Sequence, residues 1–128
     1  MHQPPVVLIV DNHQDSLAMY AFGLLAMGLR AVTADNDQDG FDRACRLQPD
    51  VIVVDDALAG GSAPAFIQRL REDPRTRHTT ILVLSGNDSG TAKPTHSPGC
   101  DRVVLKPCEP DALAFEIQSA MAVRRPAV

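Results

Sequence analysis

Short unbroken apolar runs alternate along this chain with segments whose apolar residues recur at three- and four-residue steps, the signatures of buried strand and amphipathic helix. Val6-Val-Leu-Ile-Val10 is a β-branched-rich run between Pro4-Pro5 and Asp11-Asn12. It is too short for a helix and apolar on both faces, as a buried parallel strand must be. Leu17, Tyr20, Ala21, Leu24, Leu25 and Gly28 then follow helical spacing, with Gly28 placed as a C-terminal cap. Arg30 to Ala34 reads as a second strand, Asp35 to Asp39 as a capping loop, and Gly40 to Leu47 as a second helix that stops before Pro49. Val51-Ile-Val-Val54 repeats the first strand pattern and ends at Asp55-Asp56. After Gly60-Gly61, Ser62 can cap a helix that runs to Glu72, with Phe66, Ile67 and Leu70 inward and Asp73-Pro74 as the stop. Thr80 to Leu84 is a fourth strand ending at Ser85-Gly86, and Arg102 to Leu105 a fifth ending at Lys106-Pro107. Pro110 opens a last helix whose Leu113, Ile117, Ala120 and Met121 form one apolar stripe, which leaves Phe115 on the outer side.

This alternation predicts an α/β fold, a five-stranded parallel sheet covered by helices on both faces. At 128 residues the expected architecture is a flavodoxin-like doubly wound sheet of strand order 2-1-3-4-5. Ligands of such sheets bind at the carboxyl ends of the strands, near the switch point. One segment breaks the pattern. Asn87 to Pro98, where a fourth helix should stand, holds two prolines and no large apolar residue. It cannot make an amphipathic helix, so the fourth helix is expected to be missing or reduced, with a mobile loop in its place.

Length and composition predict one domain over residues 1–128, with a core from 5 to 123 and a short tail at 124–128. Apolar residues make up 45% of the chain, enough for a core without a metal or disulfide staple. The three cysteines have no CxxC pairing and no histidines at zinc-ligand spacing. No stretch approaches a membrane span or a signal peptide, so a cytoplasmic protein is expected. Twelve basic against 16 acidic groups, a net charge of -4, argue against a nucleic-acid or anionic-membrane surface. Low aromatic content and the absence of Trp argue against a stacking platform for single strands. The acid is spent unevenly, with 13 Asp and only three Glu, although Glu is the better helix former. Asp35, Asp37, Asp39, Asp73, Asp88 and Asp111 fall in predicted loops and helix starts, where capping explains them.

The remaining polar signal lies where strands stop: Asp11-Asn12, Asp55-Asp56, Ser85 and Lys106, the last being one of only two lysines. In an open parallel sheet these ends share one edge. A single polar strand end is ordinary, whereas four together make a site. Clustered oxygens suit a hard cation such as Mg²⁺, lysine and hydroxyl suit an incoming phosphoryl group, and a carboxylate beside them can act as a nucleophile. Asp55 holds the in-register position after four apolar residues and is preferred over its neighbour Asp56. His13 is read as a loop residue at the rim, and His2, His78 and His96 as surface positions.

Over residues 5 to 123 the chain resembles the receiver domain of two-component response regulators. The motifs that carry the resemblance are Val-Leu-Ile-Val-Asp-Asn, Pro49-Asp-Val-Ile-Val-Val-Asp55, Ile81-Leu-Val-Leu-Ser85 and Gly99-Cys-Asp-Arg-Val-Val-Leu-Lys106-Pro107. The resemblance implies that Asp55 accepts a phosphoryl group from a histidine kinase or phosphotransfer protein. It implies Mg²⁺ held by Asp11, Asn12, Asp55 and the backbone carbonyl of Ala57. Ser85 would be the switch hydroxyl, Lys106 would pair with the phosphate, and Lys106-Pro107 would be a cis peptide. Such a protein is not an enzyme beyond taking phosphate from a donor and losing it slowly. With Val128 close behind the last helix, a stand-alone receiver without an effector is expected, signalling to a downstream protein by contact. The last helix, with Phe115 outward, is the candidate surface for a homodimer.

Several positions depart from the family pattern. Asn12 replaces a residue that is usually acidic and ligates the metal. A unit charge pair at about 4 Å is worth roughly 4 kcal/mol at an effective dielectric of about 20. Losing even a third of that costs about tenfold in affinity, so weak Mg²⁺ binding is expected. Val103 stands where the family usually has an aromatic that swings with the hydroxyl, a motion closed to a short β-branched side chain. Ala59 and Ala63 replace a common Pro and Gly in the loop after Asp55.

Two other classes compete. A pseudo-receiver would keep the fold and bind a partner without phosphorylation, as Asn12 and Val103 suggest. A haloacid-dehalogenase-type phosphatase also gathers Asp, Ser and Lys on a parallel sheet, but wants a second acid two residues after the nucleophile, where this chain has His13 after Asp11. A flavodoxin is disfavoured, because the first loop is acidic where a flavin phosphate needs hydroxyls and amides.

Overall fold

The computed structural model describes residues 3–56, 58, 63–86 and 99–124. Its elements in chain order are β1 (Val6–Val10), α1 (Gln14–Ala26), β2 (Arg30–Ala34), α2 (Asp37–Leu47), β3 (Val51–Asp55), α3 (Ala63–Glu72), β4 (Thr80–Ser85), β5 (Arg102–Leu105) and α4 (Pro110–Arg124). All four strand pairings are parallel, in the order β2-β1-β3-β4-β5. This is the doubly wound sheet that the alternation predicted. The segment 87–98, expected to lack its helix, and the helix cap expected at Ser62 lie outside the described residues. No helix among the described residues is long and apolar enough to cross a membrane.

The apolar runs are strands because both of their faces are covered. Val7 and Ile9 of β1, with Val51 and Val53 of β3 and Leu82 and Leu84 of β4, pack beneath α1 and α4. The alternate positions Leu8, Val10, Ile52, Val54, Ile81 and Val83 pack beneath α2 and α3. A period of two thus divides one run between two cores. The inner stripes are as expected for α3 (Phe66, Ile67, Leu70) and α4 (Leu113, Ile117, Ala120), and Phe115 is 66% exposed on the outer face.

Two local details differ from the sequence reading. Leu25 is exposed, because Leu24 occupies the core position and the next residue is turned about 100° away from it. Helix α2 begins at Asp37 rather than Gly40, since Asn36 caps it by accepting from the Asp39 amide at 2.8 Å. Asp37 and Asp39 therefore belong to the first helical turn, where the dipole favours them. Helix α1 starts at Gln14, with His13 at its N-cap position. Its other end closes as anticipated: Gly28 has φ of +85°, and the Leu29 amide reaches back to the Leu24 carbonyl.

Candidate functional site

Register brings the strand ends together. Val10 pairs with Val54 across β1 and β3, so the next residues, Asp11 and Asp55, stand side by side. The Asp11 amide bonds the Ala34 carbonyl, the Asp56 amide the Leu84 carbonyl, and the Lys106 amide the Ser85 carbonyl. These bonds carry the ladder just past the strands and fix where each side chain leaves the backbone. Asp11 and Asp55 continue the odd positions of their strands and lie on the α1/α4 side. Both are only 1% exposed. Two carboxylates that close and that dry require cationic compensation. Lys106 supplies part of it, its Nζ donating to Asp55 Oδ1 at 2.9 Å.

His13 adds a polar contact to both acids. Its Nδ1 lies 3.0 Å from Asp11 Oδ1 and 3.7 Å from Asp55 Oδ2, and its backbone amide donates to the same Asp11 oxygen at 2.9 Å. His13 stands at the rim, as read from the sequence, with its side chain 61% exposed just before α1. What that reading missed is its contact with both acids, and the signal that could have found it is its position two residues after a strand-ending Asp. Ligand atoms of Asp11, His13 and Asp55 all lie within 4.8 Å of one another. Asp11 Oδ2 is buried with no hydrogen-bond partner among the described residues, as expected of an oxygen shaped to meet a cation. The donor set therefore fits a divalent metal ion. Asn12 is exposed beside it, and the Ala57 carbonyl, expected as a further ligand, lies outside the described residues.

Ser85 is not turned toward Asp55. Its hydroxyl donates to Asp56 Oδ2 at 2.9 Å. Ser85 continues the alternation of Ile81 and Val83, and Asp56 that of Ile52 and Val54, so both fall on the α2/α3 side. Asp56, set aside on the sequence as the neighbour of the in-register acid, thus holds the expected switch hydroxyl.

On the opposite side, the Tyr20 hydroxyl of α1 donates to the Cys108 carbonyl at 2.8 Å. Burial above all, then the negative groups at Cys108, Asp11, Asp55 and Glu109, pushes its phenol up to about 12. Lys106-Pro107 is a cis peptide, as the resemblance implied. An open cleft of about 660 Å³ leads in from solvent between His13, Tyr20, Asp56, Lys106 and Glu109. Chemically, the arrangement offers a buried carboxylate beside an ammonium, a place for a cation and an open cleft alongside.

Known proteins carry the same arrangement of elements. The structure overlays the chemotaxis response regulator CheY4 of Vibrio cholerae with a TM-score of 0.82 at 23% identity, covering 91% of this chain and 98% of that one. It overlays a putative response regulator from Chloroflexus aurantiacus with a TM-score of 0.81 at 26% identity, covering 93% and 98%. Among curated proteins, the phosphate regulon transcriptional regulatory protein PhoB of Escherichia coli is 26% identical over 117 residues, 90% of this chain. The chain spans about half (51%) of the length of that relative. The polar-differentiation response regulator DivK of Brucella anthropi is 23% identical over 81% of this chain and 85% of its own length. A profile of the response regulator receiver domain matches residues 7–118, from the first strand well into the last helix. On that match and on the fold, the chain belongs to the response regulator receiver domain family.

Proposed function

We propose that this chain works as a phosphoacceptor in two-component signalling, with Asp55 taking the phosphoryl group from a histidine kinase or phosphotransfer protein. The observation that carries the reading is the buried Asp55 carboxylate held at 2.9 Å by Lys106 Nζ beside Asp11. A carboxylate oxygen attacks phosphorus and the P–N bond to the donor histidine breaks. Its electron pair stays on the imidazole nitrogen, which takes up a proton, and an acyl phosphate forms on Asp55. Lys106 then faces the new phosphoryl oxygens, a charge-assisted contact in a partly buried place. Asp11 and Asp55 would hold a divalent cation, which would offset the negative charge gathered there. Ser85 follows the phosphoryl group only after leaving Asp56, and the signal passes to a downstream protein by contact, with the exposed Phe115 of α4 as the candidate surface for a second copy.

The test is incubation of the protein with a small phosphodonor and Mg²⁺, followed by intact mass. One added phosphoryl group is expected, absent in Asp55→Asn. A second reading, a partner-binding module that works without phosphorylation, is favoured by one observation, the engagement of Ser85 with Asp56. Absence of labelling from both a small donor and a cognate kinase would select it.

A further inference from the structure

We propose that His13 makes the strand-end site a mixed nitrogen and oxygen centre that selects borderline divalent ions, the class of Co²⁺, Ni²⁺ and Zn²⁺, over Mg²⁺. The inference takes the site of the proposed function and names the ion it prefers. Three observations carry it.

The first is geometry. His13 Nδ1 is 3.0 Å from Asp11 Oδ1 and 3.7 Å from Asp55 Oδ2. Ligands bound at about 2.0–2.2 Å around one metal ion stand roughly 3 Å apart. His13 is already that close to Asp11, and all three groups lie within 4.8 Å of one another. The ring is also placed in advance, because His13 sits at the start of α1 with its own amide bonded to Asp11 Oδ1. The second observation is Asp11 Oδ2, 1% exposed at the residue level and without a hydrogen-bond partner among the described residues. A His–Asp hydrogen bond alone accounts for Oδ1 and leaves this second oxygen unexplained, whereas a cation accounts for both. The third is charge and donor type. Asn12 brings an amide where a carboxylate would add the charge that a hard ion needs. Mg²⁺ prefers an all-oxygen octahedron, while imidazole nitrogen suits Co²⁺, Ni²⁺ and Zn²⁺. The His13 side chain is 61% exposed, so an ion can reach it from the cleft.

The experiment is a titration of the metal-stripped, tag-free full chain with Co²⁺ and with Mg²⁺, read by calorimetry and by the visible cobalt spectrum. Co²⁺ is expected to bind at least about tenfold more tightly than Mg²⁺. His13→Ala should weaken Co²⁺ by about tenfold or more, the scale on which even supporting groups act, and leave Mg²⁺ within about twofold. Asn12→Asp should do the reverse, strengthening Mg²⁺ by about tenfold. The spectrum should lack a sulfur-to-cobalt charge-transfer band, which separates this site from the free thiols at Cys45, Cys100 and Cys108. Equal affinity for the two ions, or Co²⁺ binding unchanged in His13→Ala, overturns the proposal. Neither readout involves phosphate, so metal selectivity can fail while Asp55 is still labelled, and can hold while it is not. His13 is exposed at a helix start, and far-UV circular dichroism of the variant checks that it remains folded.

Discussion

Two adjacent acids at the end of β3 have separate duties because a strand turns successive side chains to opposite faces. Asp55 meets Lys106 and Asp11 on one side, and Asp56 meets Ser85 on the other. The Ser85 hydroxyl is therefore committed before any phosphoryl group arrives. A hydrogen bond to a charged acceptor is worth roughly 1.5–3 kcal/mol, and the half-buried setting of Asp56 argues for the lower end. Removing that acceptor should free the hydroxyl and also lighten the negative field near Asp55. Asp56→Ala is accordingly expected to bind the phosphoryl mimic beryllium fluoride about tenfold more tightly than the unaltered chain, while Ser85→Ala binds it more weakly. Calorimetric titration measures both, and an unchanged affinity in Asp56→Ala would mean that the Ser85–Asp56 bond does not restrain the switch.

Among the elements, α1 and α4 approach closely at Gly23. A methyl group at Gly23 would overlap the ring of Pro110, the residue that opens α4. Neither partner can yield cheaply, since one is helix backbone and the other a proline ring. Gly23→Ala should therefore destabilise the fold by about 1–3 kcal/mol through overpacking, against a helix-propensity gain of up to about 1 kcal/mol. A urea denaturation midpoint reads the balance, and a midpoint equal to or above that of the unaltered chain would refute the tight contact. This packing was invisible in the sequence, where Gly23 is one more small residue on a helix. The strands were legible for the opposite reason. Val6–Val10 and the apolar stretches 51–54 and 81–84 are apolar on both faces, and only a sheet covered twice accommodates that. The start of α2 was not, because Asp37 and Asp39 suit a loop and a first helical turn equally and Asn36 decides between them. Asp11, Asp55 and Lys106 could be grouped from strand ends alone. The contact of His13 and the facing of Asp56 become legible only once the start of α1 and the period of two are carried past the strand ends.

Across the whole molecule, Tyr20 ties the first helix to the segment that delivers Lys106, through a hydrogen bond spanning 88 positions of sequence. It is also the only tyrosine in a chain without tryptophan, so its absorbance reports on this tie without interference. Burial first and the surrounding negative groups second raise its phenol from 10.0 to about 12. The fold favours the neutral phenol, so this contribution to stability is complete below the unfolded value near 10 and is lost as pH rises from there through about 12. Absorbance titration of the folded protein should give a midpoint near 12, and titration in denaturing urea one near 10. The Cys45 and Cys108 thiols, also pushed up by burial, share the sign of the effect. Comparison with Tyr20→Phe separates them, because the variant keeps both thiols and loses only the phenol. Its denaturation midpoint should fall less steeply above pH 10 than that of the unaltered chain. A phenol that titrates near 10 in the folded protein would mean that the hydroxyl is solvated, and that α1 and the Lys106 segment are held together by apolar packing alone.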